Sequence, residues 1–170
     1  MLGIDIVDLK DKRTHERNNR SFRFIQHEKD HLIEHPDIFW LLWAAKEAIF
    51  KCKRELVDFS PKSIPVHIKS DHHELTFTSD VVNGKFVVNK DYLLAICSKV
   101  DFNRLSYQVF STNKTMNSKL LREKTNSYFQ GVVDDFAVGS DELNLPIALP
   151  SKQPISFTHH NSWGAVAFFN

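Results

Sequence analysis

The chain has 170 residues, 42% hydrophobic and 25% charged, with a formal net charge of +1. That length fits one compact domain or two small lobes with a real core. The near-zero charge gives no electrostatic case for nucleic acid as a main partner, and no apolar run approaches the roughly 20 residues of a membrane span. The first residues read as strand, without a basic and then apolar leader. A cytoplasmic protein is therefore expected, with Cys52 and Cys97 as reduced, buried thiols.

In chain order, Leu2, Ile4 and Ile6 alternate with Gly3, Asp5 and Val7. A period of two predicts a strand with Asp5 on the face opposite the isoleucines. Residues 9 to 35 are polar and basic and suit helix and loop. His27, His31 and His35 recur every four residues, so a helix there would place them on one solvated face. Pro36 ends that segment and Asp37 is positioned to cap the next. Residues 38 to 54 carry the clearest helical pattern. Leu41, Ala45, Ala48 and Cys52 form one apolar stripe, and Trp40, Ala44, Glu47 and Lys51 form its neighbour.

Residues 59 to 100 read as strands. His72-His73 is expected in a loop between two of them, and Asn83-Gly84 predicts a hairpin turn. Tyr92 to Cys97 is almost wholly apolar and predicts an interior strand. After a polar stretch at residues 111 to 118, Lys119 to Gln130 predicts a basic helix ending at Gly131. A strand around Phe136 to Val138 and a turn at Asp141-Glu142 follow. Ile155 to Phe169 reads as strand, tight turn at Asn161-Ser162, and a second strand or helix start.

Two motifs carry chemistry: Gly3-Ile4-Asp5-Ile6-Val7-Asp8, and Trp43-Ala44-Ala45-Lys46-Glu47-Ala48-Ile49-Phe50-Lys51. They put one carboxylate on a strand, a second on a helix, and a lysine one turn beyond the second. Such a trio suits a hard cation holding a pyrophosphate. Mg²⁺ takes oxygen ligands, commonly one or two carboxylates, and completes its shell with water and substrate phosphate. Glu47 and Lys51 alone equally fit a simple i,i+4 ion pair.

On these motifs the chain resembles the 4'-phosphopantetheinyl transferase superfamily, whose pattern is a Gly-Ile/Val-Asp strand followed by an aromatic-x-x-Lys-Glu-x-x-x-Lys helix. Ser156-Phe157-Thr158-His159 is similar to a third family element, Ser-x-Ser/Thr-His. Asn144-Leu145-Pro146 stands where the family often has Gly-Lys-Pro, without the lysine. The resemblance implies an α+β fold of small antiparallel sheets packed with helices. Two arrangements are open. One is a rearranged two-lobe chain, with a metal-binding lobe in residues 1 to about 110 and a shortened partner lobe in residues 115 to 170 carrying His159. The other is a holo-acyl-carrier-protein synthase with an insertion, whose site forms between chains of a small homo-oligomer rather than in a monomer.

The resemblance further implies Mg²⁺-dependent transfer of 4'-phosphopantetheine from coenzyme A to a serine of a carrier protein, releasing 3',5'-ADP. Asp5 and Glu47 would be the metal ligands, and Glu47 and Lys51 the catalytic pair. Lys46, Lys51, Thr158, His159 and Arg122 would contact coenzyme A, with His160 an alternative to His159 and with Lys119 and Arg122 reaching the 3'-phosphate. Lys10, Lys12 and Arg13 would meet the acidic carrier protein. Asp8 lies three residues beyond Asp5, so on a strand it faces the other way. A non-catalytic module that binds coenzyme A or a carrier protein is the competing function.

Overall fold

The structure, a computed structural model, describes residues 1–15, 19–55, 57–72, 74–80, 82–100 and 102–169. It is α+β. Strand β1 (Leu2–Asp8) is followed by short helices α1 (Lys12–His15) and α2 (Asn19–Ile25), and then by α3 (Ile38–Lys53). Next come β2 (His67–Asp71), β3 (Glu74–Ser79), β4 (Val82–Val88), β5 (Tyr92–Ser98) and β6 (Leu105–Ser111). Helix α4 (Ser118–Gln130) leads to β7 (Ala137–Ser140), β8 (Pro146–Leu149), β9 (Gln153–Pro154), β10 (Ser156–His160) and β11 (Trp163–Phe169). Among the described residues the strands form three antiparallel sheets, ordered β1-β5-β4-β3-β2, β10-β11-β6 and β7-β8-β9. Among the described residues no helix is long and apolar enough to cross a membrane.

The layers follow from the alternation within β1. Val7, with β5 residues Leu93, Ala95 and Cys97, joins the core beneath α3. Leu2, Ile4 and Ile6 point to the opposite face and pack with Leu94 and Ile96 against Ala165 and Ala167 of β11. The five-stranded sheet is thus covered by α3 on one side and by the β10-β11-β6 sheet on the other. A third core around Phe129, Phe136, Ile155 and Val166 attaches α4 and the small sheet outside β11. As expected, β5 is interior, between β1 and β4, and both cysteines are free and buried. They lie against one another although 45 positions separate them.

Three local expectations need correction. His27, His31 and His35 share no helix face, because residues 26–37 form no helix. His31 instead bridges to His67: its N–H donates to Val66 O (3.0 Å), and its carbonyl accepts from Ile68 N (2.8 Å). No apolar stripe holds a helix there. The buried carboxylate of Asp30 organises a loop by accepting from the N–H groups of His27 and Val66. Asn83-Gly84 is not a turn but lies inside β4, since Ser79 pairs with Val82 and Asp80 carries the positive φ of 47°. Gly84 has a packing reason instead: a Cβ there would sit 2.2 Å from the buried Phe77 ring. Asp37 does take the N-cap position of α3, but its carbonyl, not its side chain, receives the N–H groups of Trp40 and Leu41. Of the His72-His73 pair, His72 lies in the β2–β3 turn with φ 42°, and His73 is outside the described residues.

Candidate functional site

The site begins with the close approach of β1 to α3. Residues 3, 5 and 7 of β1 face the helix. At Gly3 the approach is so tight that a Cβ would lie 1.9 Å from the carbonyl oxygen of Ala48. Only glycine lets strand and helix meet this way. Two residues on, Asp5 reaches the last turns of α3. The Lys51 ammonium donates to Asp5 Oδ1 (2.9 Å) and to Ile4 O (3.1 Å), and lies 3.5 Å from Glu47 Oε1. The other Glu47 oxygen accepts from the Trp43 indole N–H, one turn earlier, at 3.0 Å. The i,i+4 spacing of Trp43, Glu47 and Lys51 puts all three on one face.

Strand β1 is the edge of its sheet, so half of its backbone groups need partners from elsewhere. Side chains of β10 supply two of them. Thr158 Oγ accepts from Ile6 N (3.2 Å) and donates to Asp5 Oδ1 (2.8 Å). His160 Nδ1 accepts from Asp8 N (3.1 Å). Asp8, buried and on the face away from α3 as the alternation requires, accepts from Asn161 Nδ2 (2.9 Å) and Ser162 Oγ (3.1 Å). It therefore pins the β10–β11 turn, in which Asn161 has φ 51°.

The electrostatics are unusual for a structural ion pair. Burial pushes the Asp5 carboxyl up to about 6, aided by the Glu47 charge and opposed by Lys51 and by the Thr158 hydrogen bond. Burial works to lower the pKa of Lys51, but the Asp5 and Glu47 carboxylates beside it win and raise it. Partial burial holds His159 below the usual histidine range, with Lys51 and His160 adding repulsion. Perturbed groups gathered in one cleft make it a candidate functional centre.

These groups line a cavity of about 820 Å³. One wall is α3, with Trp43, Glu47, Lys51 and Arg54. The other is formed by β10 and α4, with Thr158, His159, His160, Ser118 and Arg122. His159 sits at the mouth of the cavity, open to solvent on one side and partly buried on the other, its Nε2 3.2 Å from Ser118 Oγ, and the Arg122 guanidinium lies over the Phe157 ring at 5.6 Å. Two carboxylates on adjacent walls offer hard oxygen donors while the cavity leaves space for water and phosphate. The donor set therefore fits a divalent cation such as Mg²⁺. Among the described residues no group of three or more His, Cys, Asp or Glu is placed to hold a metal.

Asp5, Glu47, Lys51, Thr158, His159 and Arg122 thus come together around one cavity, as does His160. Lys46 does not. It points into the core of its own layer, wholly buried, and donates to Asp30 Oδ1 (3.2 Å), Pro61 O (3.0 Å) and Ile64 O (2.7 Å). With three acceptors engaged it has no proton left for a phosphate. Lys119 is exposed on α4 and does not line the cavity. Lys10 is paired with Asp91, Arg13 with Asp11, and Lys12 is exposed.

Sequence reasoning missed three participants. Trp43 orients Glu47, a role its four-residue spacing would have revealed. Asp8 fixes the turn that carries the histidines, which no local pattern shows. Arg54, the left-handed C-cap of α3, donates to Asp141 Oδ2 (2.6 Å) and to Pro146 O (3.4 Å), tying the helix to the segment where the expected lysine is missing.

A family model described as the 4'-phosphopantetheinyl transferase superfamily matches residues 1–97. That span contains β1, α3 and all of the first sheet except Ser98, the last residue of β5. Searches of curated proteins and of solved structures gave no match.

Proposed function

The chain belongs to the 4'-phosphopantetheinyl transferase superfamily, and on that premise we propose that it moves 4'-phosphopantetheine from coenzyme A to a serine of an apo acyl or peptidyl carrier protein. The observation that carries this reading is the pairing of Asp5 with Glu47, through Lys51, at the wall of a cavity that also receives His159 from the far end of the chain.

On this reading the serine oxygen of the carrier forms a new bond to the phosphorus attached to pantetheine. The bond to the other phosphate breaks, and 3',5'-ADP leaves. Such a transfer needs little covalent help from the protein and much positioning and charge neutralisation. Asp5 and Glu47 would hold Mg²⁺, which would supply Lewis-acid polarisation of the pyrophosphate oxygens. Lys51 neutralises charge as it accumulates on those oxygens. Glu47 also offers the carboxylate that takes the serine proton. His159 and Arg122 stand on the opposite wall, where they contact the nucleotide phosphates, and Thr158 keeps Asp5 oriented. Lys10, Lys12 and Arg13 are all exposed and remain candidates for the carrier protein, Lys10 and Arg13 being also paired with Asp91 and Asp11.

The metal-side residues come from positions 1 to about 110 and the nucleotide-side residues from positions 115 to 170. A site completed within one chain supports the rearranged two-lobe reading over a ring, since Glu47 and His159 of the same chain line one cavity.

The test is to incubate the protein with coenzyme A, Mg²⁺ and a panel of apo carrier proteins, and to weigh the intact carriers by mass spectrometry. A gain of one phosphopantetheine group is expected, lost with EDTA and with Glu47→Ala. Coenzyme A binding without transfer to any carrier would instead favour the binding module.

A further inference from the structure

The Lys51 ammonium occupies an unusual position. It has three protons and three acceptors around it: Ile4 O at 3.1 Å, Asp5 Oδ1 at 2.9 Å and Glu47 Oε1 at 3.5 Å. Two of those acceptors are the carboxylates that fit a divalent cation. The third belongs to the open edge of β1. Lysine and carboxylates are only partly exposed, at 25% for Lys51, 29% for Glu47 and 5% for Asp5. At that burial two like-charged carboxylates repel strongly unless a cation stands with them.

We infer that Lys51, as the counter-ion standing between Asp5 and Glu47, competes with a divalent cation for the two carboxylates and is displaced from Asp5 when that cation binds. The inference rests on the reading of Asp5 and Glu47 as metal ligands and adds a second position for the lysine. The reasoning is geometric. A metal ion held by Asp5 and Glu47 takes over the role the ammonium fills. It also places two positive charges within a few ångströms of a third, which favours withdrawal of the flexible lysine stem. Lys51 lines the cavity, so the direction open to it is away from β1 and toward the space available to a pyrophosphate. Metal binding and phosphate neutralisation are then coupled. The same side chain that stabilises the metal-free protein is released to meet substrate charge only after the metal has arrived.

The coupling sets an unusual sign. For an ordinary site, removing a residue next to the ligand weakens binding. Here Lys51→Met removes a competitor, so Mn²⁺, followed at pH 8 by the electron paramagnetic resonance of the free ion, should bind at least about tenfold more tightly than to the wild type, the effect of deleting one nearby like charge. A second measurement uses the unaltered protein and stands even if the variant does not fold. Trace labelling with acetic anhydride, read by peptide mass spectrometry, should modify Lys51 more in Mg²⁺ than in EDTA, with Lys12 as the exposed reference. Equal or weaker Mn²⁺ binding by the variant, or labelling of Lys51 that does not rise with Mg²⁺, would overturn the inference and leave the metal reading standing. Failure of both proteins to bind Mn²⁺ would overturn the metal reading together with it.

Discussion

Asp5 is held ionised at a cost to stability, and replacing it should make the protein more stable while abolishing its activity. Its carboxyl is pushed from the ordinary 3.8 up to about 6, first by burial and then by Glu47. Because the folded value lies above the unfolded one, the folded state binds the extra proton between those two pH values. Stability from this group is therefore highest below about 3.8, falls as pH rises through the window to about 6, and stays low above it. Each pH unit is worth about 1.4 kcal/mol, so ionised Asp5 costs the metal-free protein about 3 kcal/mol at neutral pH. The side chain is only 5% exposed, so solvent screening removes little of that. Asp5→Asn mimics the protonated form and keeps an oxygen for Thr158 and Lys51. In EDTA at pH 7.5 its urea midpoint should correspond to a gain of about 3 kcal/mol, or about 6–12 °C in Tm for a chain of this size. At pH 4.5 most of that gap should close. Transfer activity should be lost at every pH. If the variant and the wild type unfold together at pH 7.5, or the gap widens in acid, then Lys51 already compensates Asp5 fully and the argument fails.

Two further outcomes follow from the packing around the site. Gly3→Ala forces β1 and α3 apart by about an ångström or more, because the new Cβ would start 1.9 Å from a backbone oxygen. A loss of about 3 kcal/mol in urea unfolding is expected, with Asp5 drawn away from Lys51; a loss under about 0.5 kcal/mol would contradict the close approach. Lys46→Met leaves the Asp30 carboxylate buried with only backbone N–H partners. It should cost about 3–5 kcal/mol, and the double variant Lys46→Met/Asp30→Asn should recover part of it. Loss of coenzyme A binding with unchanged stability would instead place Lys46 in the substrate site.

What the chain determined by itself was local and periodic. The alternation of Leu2, Ile4 and Ile6 with Gly3, Asp5 and Val7 made β1 a strand with two buried faces and put Asp5 on the helix side. The 3.6-residue pattern of residues 38 to 54 made α3, and the spacing of Glu47 and Lys51 put both on one edge of it. The unbroken apolar run from Tyr92 to Cys97 required an interior strand. These features depend on neighbours within a few positions, so they survive reading one residue at a time. The failures have a different physical origin. Asn83-Gly84 has turn chemistry, but the Phe77 ring needed the glycine, and that ring arrives from another strand. Lys46 stands beside Glu47 in the motif, yet helical geometry turns it about 100° away, toward loops whose carbonyls claim it. His27, His31 and His35 keep helical spacing without the apolar stripe that would pack a helix. The meeting of Thr158 with Asp5, and of His160 and Asn161 with Asp8, spans some 150 residues. It arises because β1 is an edge strand whose open N–H groups at Ile6 and Asp8 find acceptors in Thr158 and His160, while its buried Asp5 and Asp8 carboxylates find donors in Thr158 and Asn161. Hydrogen-bond demand of that kind has no sequence period, so the motif at residues 156 to 159 marked which segment would join the site, and only the tertiary structure showed that it meets β1 within the same chain.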